Sequence, residues 1–434
     1  MSAEPIAAPK LTPVARLRSI IGGSAGNLVE WYDWYVYAGF ALYFAPQFFP
    51  QGDRTAQLLG AAAVFGVGFL ARPVGAWLMG LYADRKGRKA GLTLSVTLMA
   101  VGSLAIAVLP PAAVIGPIAP LLLLVFRLVQ GLSLGGEYGA SATYLSEMAD
   151  RKNRGFWSSF HYVTLIAGQL SALGVLLLMQ ATMERADLEA WGWRIAFAIG
   201  GVLALGVFWL RRKLEETDSF RAAKAAGARP AASWRLVREH PREAAIVFAL
   251  TAGGSLSFYA FTTYAQKYLV NTTGFTRETA TEVAAGSLVV FMLLQPLAGW
   301  ISDRIGRKPM LVGYGALMTL AAVPLMTLLG GAQSPWVAFG LLVCALTIQS
   351  AYTAISAVFK AELFPTEMRA LGVALPYALA NAIFGGSAEY VALWFKAEGM
   401  ESGFFWYVAG MSAVFLIAAL SLWDTGRRSR IQED

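Results

Sequence analysis

Gly80-Leu81-Tyr82-Ala83-Asp84-Arg85-Lys86-Gly87-Arg88-Lys89 and, 219 residues further on, Gly299-Trp300-Ile301-Ser302-Asp303-Arg304-Ile305-Gly306-Arg307-Lys308 agree at six of ten positions. A second echo, Glu147 with Arg154 and Glu362 with Arg369, repeats at an offset of 215 residues. Two unrelated motifs sharing nearly one offset indicate a duplicated chain. Each motif follows a long apolar run, so the repeated unit is a bundle of membrane spans. Parallel repeats about an axis along the membrane normal are one way in which carriers build a central cavity between two halves.

Composition agrees with that reading. The chain has 434 residues, 57% hydrophobic and only 14% charged, where a soluble domain would carry about 25% charged residues. Its apolar runs are about 20 residues long, enough to span about 30 Å of hydrocarbon. Twelve transmembrane helices are expected at 19–45, 55–82, 90–110, 117–146, 155–182, 193–213, 243–268, 279–301, 309–331, 335–363, 370–396 and 402–423. The fold class is therefore an all-α membrane protein with two six-helix bundles, 19–213 and 243–423. A polar linker at 214–242 joins them, and short tails at 1–18 and 424–434 flank them.

The net charge of +8 reports topology, not a nucleic-acid partner. With the N-terminus in the cytoplasm, inward segments hold about 27 Lys and Arg and outward ones about four, which is the positive-inside asymmetry. Both termini are expected in the cytoplasm, and the chain is expected to lie in a bacterial inner membrane as a monomer. No metal-ligand spacing and no nucleotide-binding glycine loop is present, and there are only two histidines, His161 and His240. An enzyme is not indicated, and neither a cofactor nor a metal is called for. Cys344 lies in an apolar run and reads as a small core residue. A receptor without transport is the competing class, and the short tails leave it no output domain.

The duplicated loop has a physical reading. Glycine lets helices approach, the acid caps or pairs across the bundle, and the basic cluster sits at the cytoplasmic surface. Gly80, Asp84, Arg85, Gly87 and Arg88, with Asp303, Arg304, Gly306 and Arg307, are expected to form an ion-pair latch. Glu147, Arg154, Glu362 and Arg369 belong to the same device. Its role is gating.

Three further stretches carry a family resemblance: Gly26-Asn27-Leu28-Val29-Glu30-Trp31-Tyr32-Asp33, Gly68-Phe69-Leu70-Ala71-Arg72-Pro73-Val74-Gly75, and the run from Arg127 through Gln130 and Gly131 to Gly135-Gly136-Glu137-Tyr138-Gly139. With them the chain resembles the metabolite:proton symporter family of the major facilitator type, which includes carriers of proline/betaine, citrate and shikimate. A closer likeness, from about residue 19 to 423, is to carriers of 2-oxoglutarate. It rests on the runs 262–272, 359–362 and 380–393. The chain departs from that pattern at Lys86 and His161, where those carriers have His and Gln. No proton role passes to the loop. The resemblance implies proton-coupled import of an anionic dicarboxylate by alternating access.

Charges inside a bundle cost several kcal/mol unless they are paired or face water, so each is a functional candidate. Asp33 lies about 21 Å in from the cytoplasmic end of span one, at a depth similar to Arg127 in span four. Glu30, Asp33 and Tyr37 share a helix face, as do Arg127, Gln130 and Glu137. Asp33 is expected to pair with Arg127: a carboxylate beside a guanidinium stays charged, and one separated from it in a dry interior takes a proton. Glu30 and Glu137 are the alternative proton carriers. The layout resembles proton-coupled sugar carriers of the superfamily.

A dicarboxylate needs fixed positive charge, best supplied by a planar bidentate group. Arg72 and Arg127 are the in-span candidates. Lys267, near the outer end of span seven, is weighed between snorkelling and substrate attraction. Tyr37, Gln130, Tyr259, Gln295 and Tyr377 complete the polar lining expected at the substrate. Arg194 reads as an interfacial anchor, and Glu389 is a buried acid with no partner assigned.

Overall fold

The computed structural model describes residues 13–86, 88–135, 151–212, 238–365 and 369–425. Twelve long helical segments account for most of them, and no strand occurs among the described residues. The first half holds α1 (Pro13–Phe48), α2 (Arg54–Lys86), α3 (Arg88–Val108), α4 (Ile118–Leu134), α5 (Arg154–Thr182) and α6 (185–212). The second holds α7 (Pro241–Asn271), α8 (Arg277–Ile305), α9 (Arg307–Gly330), α10 (Pro335–Leu363), α11 (369–397) and α12 (Glu401–Ser421).

The helix ends follow local rules. Pro241 opens α7 and Pro335 opens α10, where a missing N–H costs nothing. Thr276 caps α8 by accepting from the Thr279 amide at 3.1 Å. Gly306 ends α8 at φ +97°, a left-handed conformation that only glycine adopts without strain.

Two features differ from the sequence expectation. The sixth span begins at Arg185, ahead of the expected 193, because one wide π-type turn at Leu188–Gly192 carries the helix through Trp191-Gly192. Similar wide turns interrupt α7 at Ala260–Tyr264 and α11 at Asn381–Gly385. Such turns often mark functional sites. Neither segment carries a proline to signal it.

Large apolar side chains face outward: Trp336 is 80% exposed, Val108 77% and Leu320 76%. In water that would be an aggregation surface, and in a bilayer it is the lipid face. The interior of the first half is aromatic, with Trp34, Phe40 and Trp193 fully buried.

Small residues set the helix spacing. A Cβ on Gly131 in α4 would stand 2.1 Å from the Gly68 carbonyl oxygen in α2, and one on Gly135 2.1 Å from that of Arg72. The motif glycines therefore let α2 and α4 touch backbone to backbone, which brings Arg72 and Arg127 to one side of α1. The halves meet along α5 with α8 and along α2 with α11.

Candidate functional site

Trp34 is the centre of the first half's polar core. The Arg72 guanidinium lies 4.2 Å from its ring centroid and that of Arg127 4.0 Å. Arg72 also lies against Phe69 at 4.0 Å, and Arg127 against Tyr37 at 4.4 Å. Cations on aromatic faces are held by the ring quadrupole, and more strongly where water is excluded. One indole thus holds two arginines in register.

From that common support the two arginines face different surroundings. Arg127 is fully buried. Its Nη1 donates to Gln130 Oε1 at 2.7 Å, and Gln130 Nε2 donates to Asp33 Oδ2 at 2.7 Å and to Ser103 Oγ at 3.1 Å. The expected pairing of Asp33 with Arg127 is therefore corrected: the two are joined through the Gln130 amide, which accepts at one end and donates at the other. A primary amide one helical turn along from the arginine has the length to do this. Asp33 Oδ1 lies at Gly200 of α6, where a Cβ would stand 2.8 Å away.

Arg72 instead lines a cavity between the halves. Asn27, Glu30, Trp31, Leu134 and Gly135 form the wall on its side, and Ala374, Tyr377, Ala378 and Asn381 of α11 face them. The cavity encloses about 480 Å³ of empty space, open solvent at its mouth included. Arg72 Nε and Nη2 are buried without a hydrogen-bond partner, and Tyr259 stands beside this guanidinium together with Tyr35 and Asn381. Asn27 ties the wall down by donating to Thr164 Oγ1 and accepting from Trp31 Nε1, both at 2.9 Å.

The remaining candidates distribute as follows. Tyr37 donates to the Ala61 carbonyl at 3.0 Å and packs under Arg127, away from the cavity. Gln295 is fully buried, accepts from Thr353 Oγ1 at 2.9 Å and ties α8 to α10, so it does not line the cavity. Lys267 does not snorkel: it is fully buried, with Nζ donating to Glu389 Oε2 at 3.1 Å and to the Ala38 carbonyl at 2.6 Å. Glu389, left without a partner by the sequence, has one across 122 positions. Arg194 donates to the Ala107 and Leu109 carbonyls at 3.1 and 2.6 Å, pinning α6 to the end of α3.

At the end of the bundle that bears the termini, the repeated motifs meet across the halves. Asp303 accepts from the Gly155 amide at 2.7 Å, the Phe156 amide at 2.9 Å and Arg307 Nη1 at 2.9 Å. It thereby caps α5, whose own N-cap residue Asn153 makes no side-chain cap. Glu362 lies 3.9 Å from Arg154 and 3.8 Å from Arg307, and Thr425 Oγ1 donates to it at 2.7 Å. Glu362 therefore reaches the other half's Arg154, while Arg369 Nε donates to the Ala361 carbonyl at 3.2 Å. Arg304 is exposed and lies over Trp300, 3.5 Å from the ring centroid, outside this cluster. Gly87, Glu137 and Glu147 lie outside the described residues, as do the side chains at Asp84, Arg85 and Arg88 and the surroundings of Gly80.

At the opposite face Arg277 of α8 meets Glu189 of α6 at 2.6 Å, and Gln180 of α5 reaches Thr281 of α8 at 3.3 Å. Polar contacts thus join the halves at both ends of the bundle.

Two residues escaped the sequence reading. Asn381 sits in the wide turn of α11, and nothing in its spacing marks that turn. Lys360 is fully buried, with Nζ 4.4 Å from the Tyr377 ring centroid and donating to Ser356 Oγ at 2.9 Å. The cost of an in-span charge would have found it had it not been counted among the inward basic residues.

The family model described as "Major Facilitator Superfamily" matches residues 24–388. The chain is 53% identical over 418 residues to the alpha-ketoglutarate permease of Escherichia coli (strain K12), covering 96% of each protein. It is 33% identical over 391 residues to the citrate-proton symporter of Klebsiella pneumoniae, covering 87% of this chain and 85% of that protein. Among solved structures, the xylose transporter XylE from E. coli matches with a TM-score of 0.75 at 19% identity, over 94% of this chain and 97% of that one. That likeness shows the fold.

Proposed function

We propose, from the premise that this chain belongs to the Major Facilitator Superfamily, that it is a proton-coupled symporter importing 2-oxoglutarate or a closely similar dicarboxylate. It is a transporter, not an enzyme. The observation that carries the substrate class is Arg72: a buried guanidinium on the wall of the cavity between the halves, with Nε and Nη2 lacking protein partners. A planar fork with free donors matches a carboxylate. Tyr259, Tyr377 and Asn381 add hydroxyl and amide groups from the second half, so the substrate would touch both halves at once.

Proton coupling is assigned to the Asp33–Gln130–Arg127 chain. While the bridge is intact, Gln130 donates to the carboxylate and relays it to the guanidinium. When α1 and α4 shift, Asp33 would lose that donor inside a dry core and take up a proton, because an unpaired buried charge is costly. Glu30, on the cavity wall beside Arg72, is the second acid within reach of substrate. Alternating access would break the Asp303–Arg307–Glu362–Arg154 cluster at one face and the Glu189–Arg277 contact at the other in turn. The excess of Lys and Arg on the terminus-bearing side supports placing that side at the cytoplasmic face of a bacterial inner membrane.

The test is uptake of labelled 2-oxoglutarate into proteoliposomes, competed by unlabelled 2-oxoglutarate, citrate, shikimate and betaine. Uptake suppressed by dicarboxylates and not by betaine is the expected result. Absence of 2-oxoglutarate uptake, or uptake that betaine suppresses as strongly as unlabelled 2-oxoglutarate does, would remove the anion reading and leave the carrier fold standing.

A further inference from the structure

A second cavity lies against Lys267, and the mechanism above makes no use of it. Its lining comes from both halves: Tyr35, Ala38, Gly39, Gln169 and Leu173 from α1 and α5, and Thr262, Thr263, Gln266 and Lys267 from α7. Its empty space is about 260 Å³, open solvent at its mouth included. Two buried polar atoms in its wall, Gln169 Oε1 and Thr263 Oγ1, have no hydrogen-bond partner. Buried polar groups in folded proteins are nearly always satisfied, so two orphans in one wall beside a buried ammonium indicate a place for a ligand.

The two cavities adjoin. Tyr35 lines the second cavity and lies within electrostatic reach of Arg72, Tyr259 and Tyr377 around the first. Along α1, Trp34 under Arg72 and Ala38 under Lys267 are one turn apart, about 6 Å. That step is comparable to the separation of the two carboxylates of a five-carbon diacid.

Lys267 is held by two kinds of acceptor. The Ala38 carbonyl reaches it from the first half, and Glu389 reaches it from α11 within the second. Both elements follow the wide turns, at Ala260–Tyr264 and Asn381–Gly385, which place Lys267 and Glu389 opposite one another. A carboxylate entering the second cavity would meet an ammonium whose partner is another carboxylate. To take that partner's place it requires the displaced Glu389 to accept a proton, since one ammonium cannot pair two buried carboxylates.

We propose that Lys267 is the selector for the substrate's second carboxylate, with Glu389 as the internal stand-in that occupies the ammonium until the diacid arrives. Arg72 holds one carboxylate and Lys267 the other, with the Thr263 hydroxyl as a further donor in the second subsite. This rests on the dicarboxylate reading and deepens it, because it names the group that separates a diacid from a monoacid.

The experiment compares binding of 2-oxoglutarate and of 2-oxobutyrate, a monocarboxylate with the same 2-oxo acid head, to the purified full-length carrier in nanodiscs. Lys267→Gln, Glu389→Gln and the double variant Lys267→Gln/Glu389→Gln are measured beside the wild type. The double variant removes both charges together, so it leaves no lone buried charge to unfold the bundle. The expected result is a wild-type preference for the diacid that falls at least about tenfold in Lys267→Gln and in the double variant, with 2-oxobutyrate binding unchanged. Glu389→Gln is expected to keep or strengthen the preference. A wild-type preference that persists intact in the double variant overturns this inference alone. A wild type with no preference for the diacid overturns it together with the reading it rests on.

Discussion

Asp303→Ala is expected to open the terminus-bearing face of the carrier. The carboxylate is almost fully buried and holds three donors: the Gly155 and Phe156 amides of the other half, and Arg307. The two amides belong to the first turn of α5, where an anion also meets the positive end of the helix dipole. Loss of an N-cap costs about 1 kcal/mol, and hydrogen bonds to charged groups contribute about 1.5–3 kcal/mol each. Arg307 keeps Ser302 Oγ at 2.8 Å and Glu362 at 3.8 Å, so its share of the loss is reduced. The net effect on the arrangement with this face closed is about 2–3 kcal/mol. At 1.4 kcal/mol per tenfold, that is a shift of roughly 30- to 150-fold toward arrangements in which α5 and α8 have parted.

The assay is a spin-label distance measurement between Lys152→Cys and Pro309→Cys, exposed positions at this face in opposite halves, with Cys344, which is exposed on α10 and not in the core as expected, replaced by alanine. The alanine variant should move the distance distribution to longer values, with Asp303→Asn, which keeps one acceptor, between it and the parent. An unchanged distribution in Asp303→Ala would refute the latch, because the contacts would then hold no conformational free energy.

Three other outcomes follow from the same geometry. Gly155→Ala should open the same face, because the new Cβ would stand 2.4 Å from Ser302 Oγ and 2.7 Å from the Gly299 carbonyl, an overpacking cost of about 1–3 kcal/mol; the same spin-label pair reads it. Arg72→Lys should raise the KM for 2-oxoglutarate by at least about tenfold while the protein stays folded by size-exclusion and thermal melting, since an ammonium lacks the planar fork that stacks on Trp34 and Phe69. Gln130→Leu should lower the melting temperature and abolish proton-driven accumulation, because it strips the shared donor and acceptor from Asp33 and Arg127, each partner left unsatisfied costing about 1–3 kcal/mol or more; unaltered accumulation would remove the relay from the account.

The architecture was legible because membrane physics writes it along the chain. Apolar runs of spanning length, a repeated loop and lopsided basic residues each report one constraint acting on consecutive residues. The cost of in-span charge likewise singled out Asp33, Arg72, Arg127, Lys267 and Glu389 one at a time. Their partners were harder to read. The Gln130 bridge joins residues 97 positions apart and depends on the side-by-side contact of α2 with α4 and the rotation of α1. Lys267 looked superficial by helical counting, yet the wide turn just before it changes the rotation of the helix and points the amine inward. Glycine spacing hinted at close helix contacts, but which glycine touches which backbone is a tertiary fact. The latch shows the same limit: the sequence shows that Glu362 and Arg154 belong to a repeated motif, and only the fold sets Glu362 beside the arginine of the opposite half.

The most direct test of the central claim is accumulation of labelled 2-oxoglutarate in proteoliposomes under an imposed inward proton gradient, for the wild type and Asp33→Asn, each with and without an uncoupler. Proton coupling through Asp33 requires concentrative uptake by the wild type that the uncoupler abolishes, and an Asp33→Asn protein that exchanges substrate across the membrane without accumulating it. Accumulation by the wild type that ignores the uncoupler, or by Asp33→Asn at the wild-type level, would contradict it.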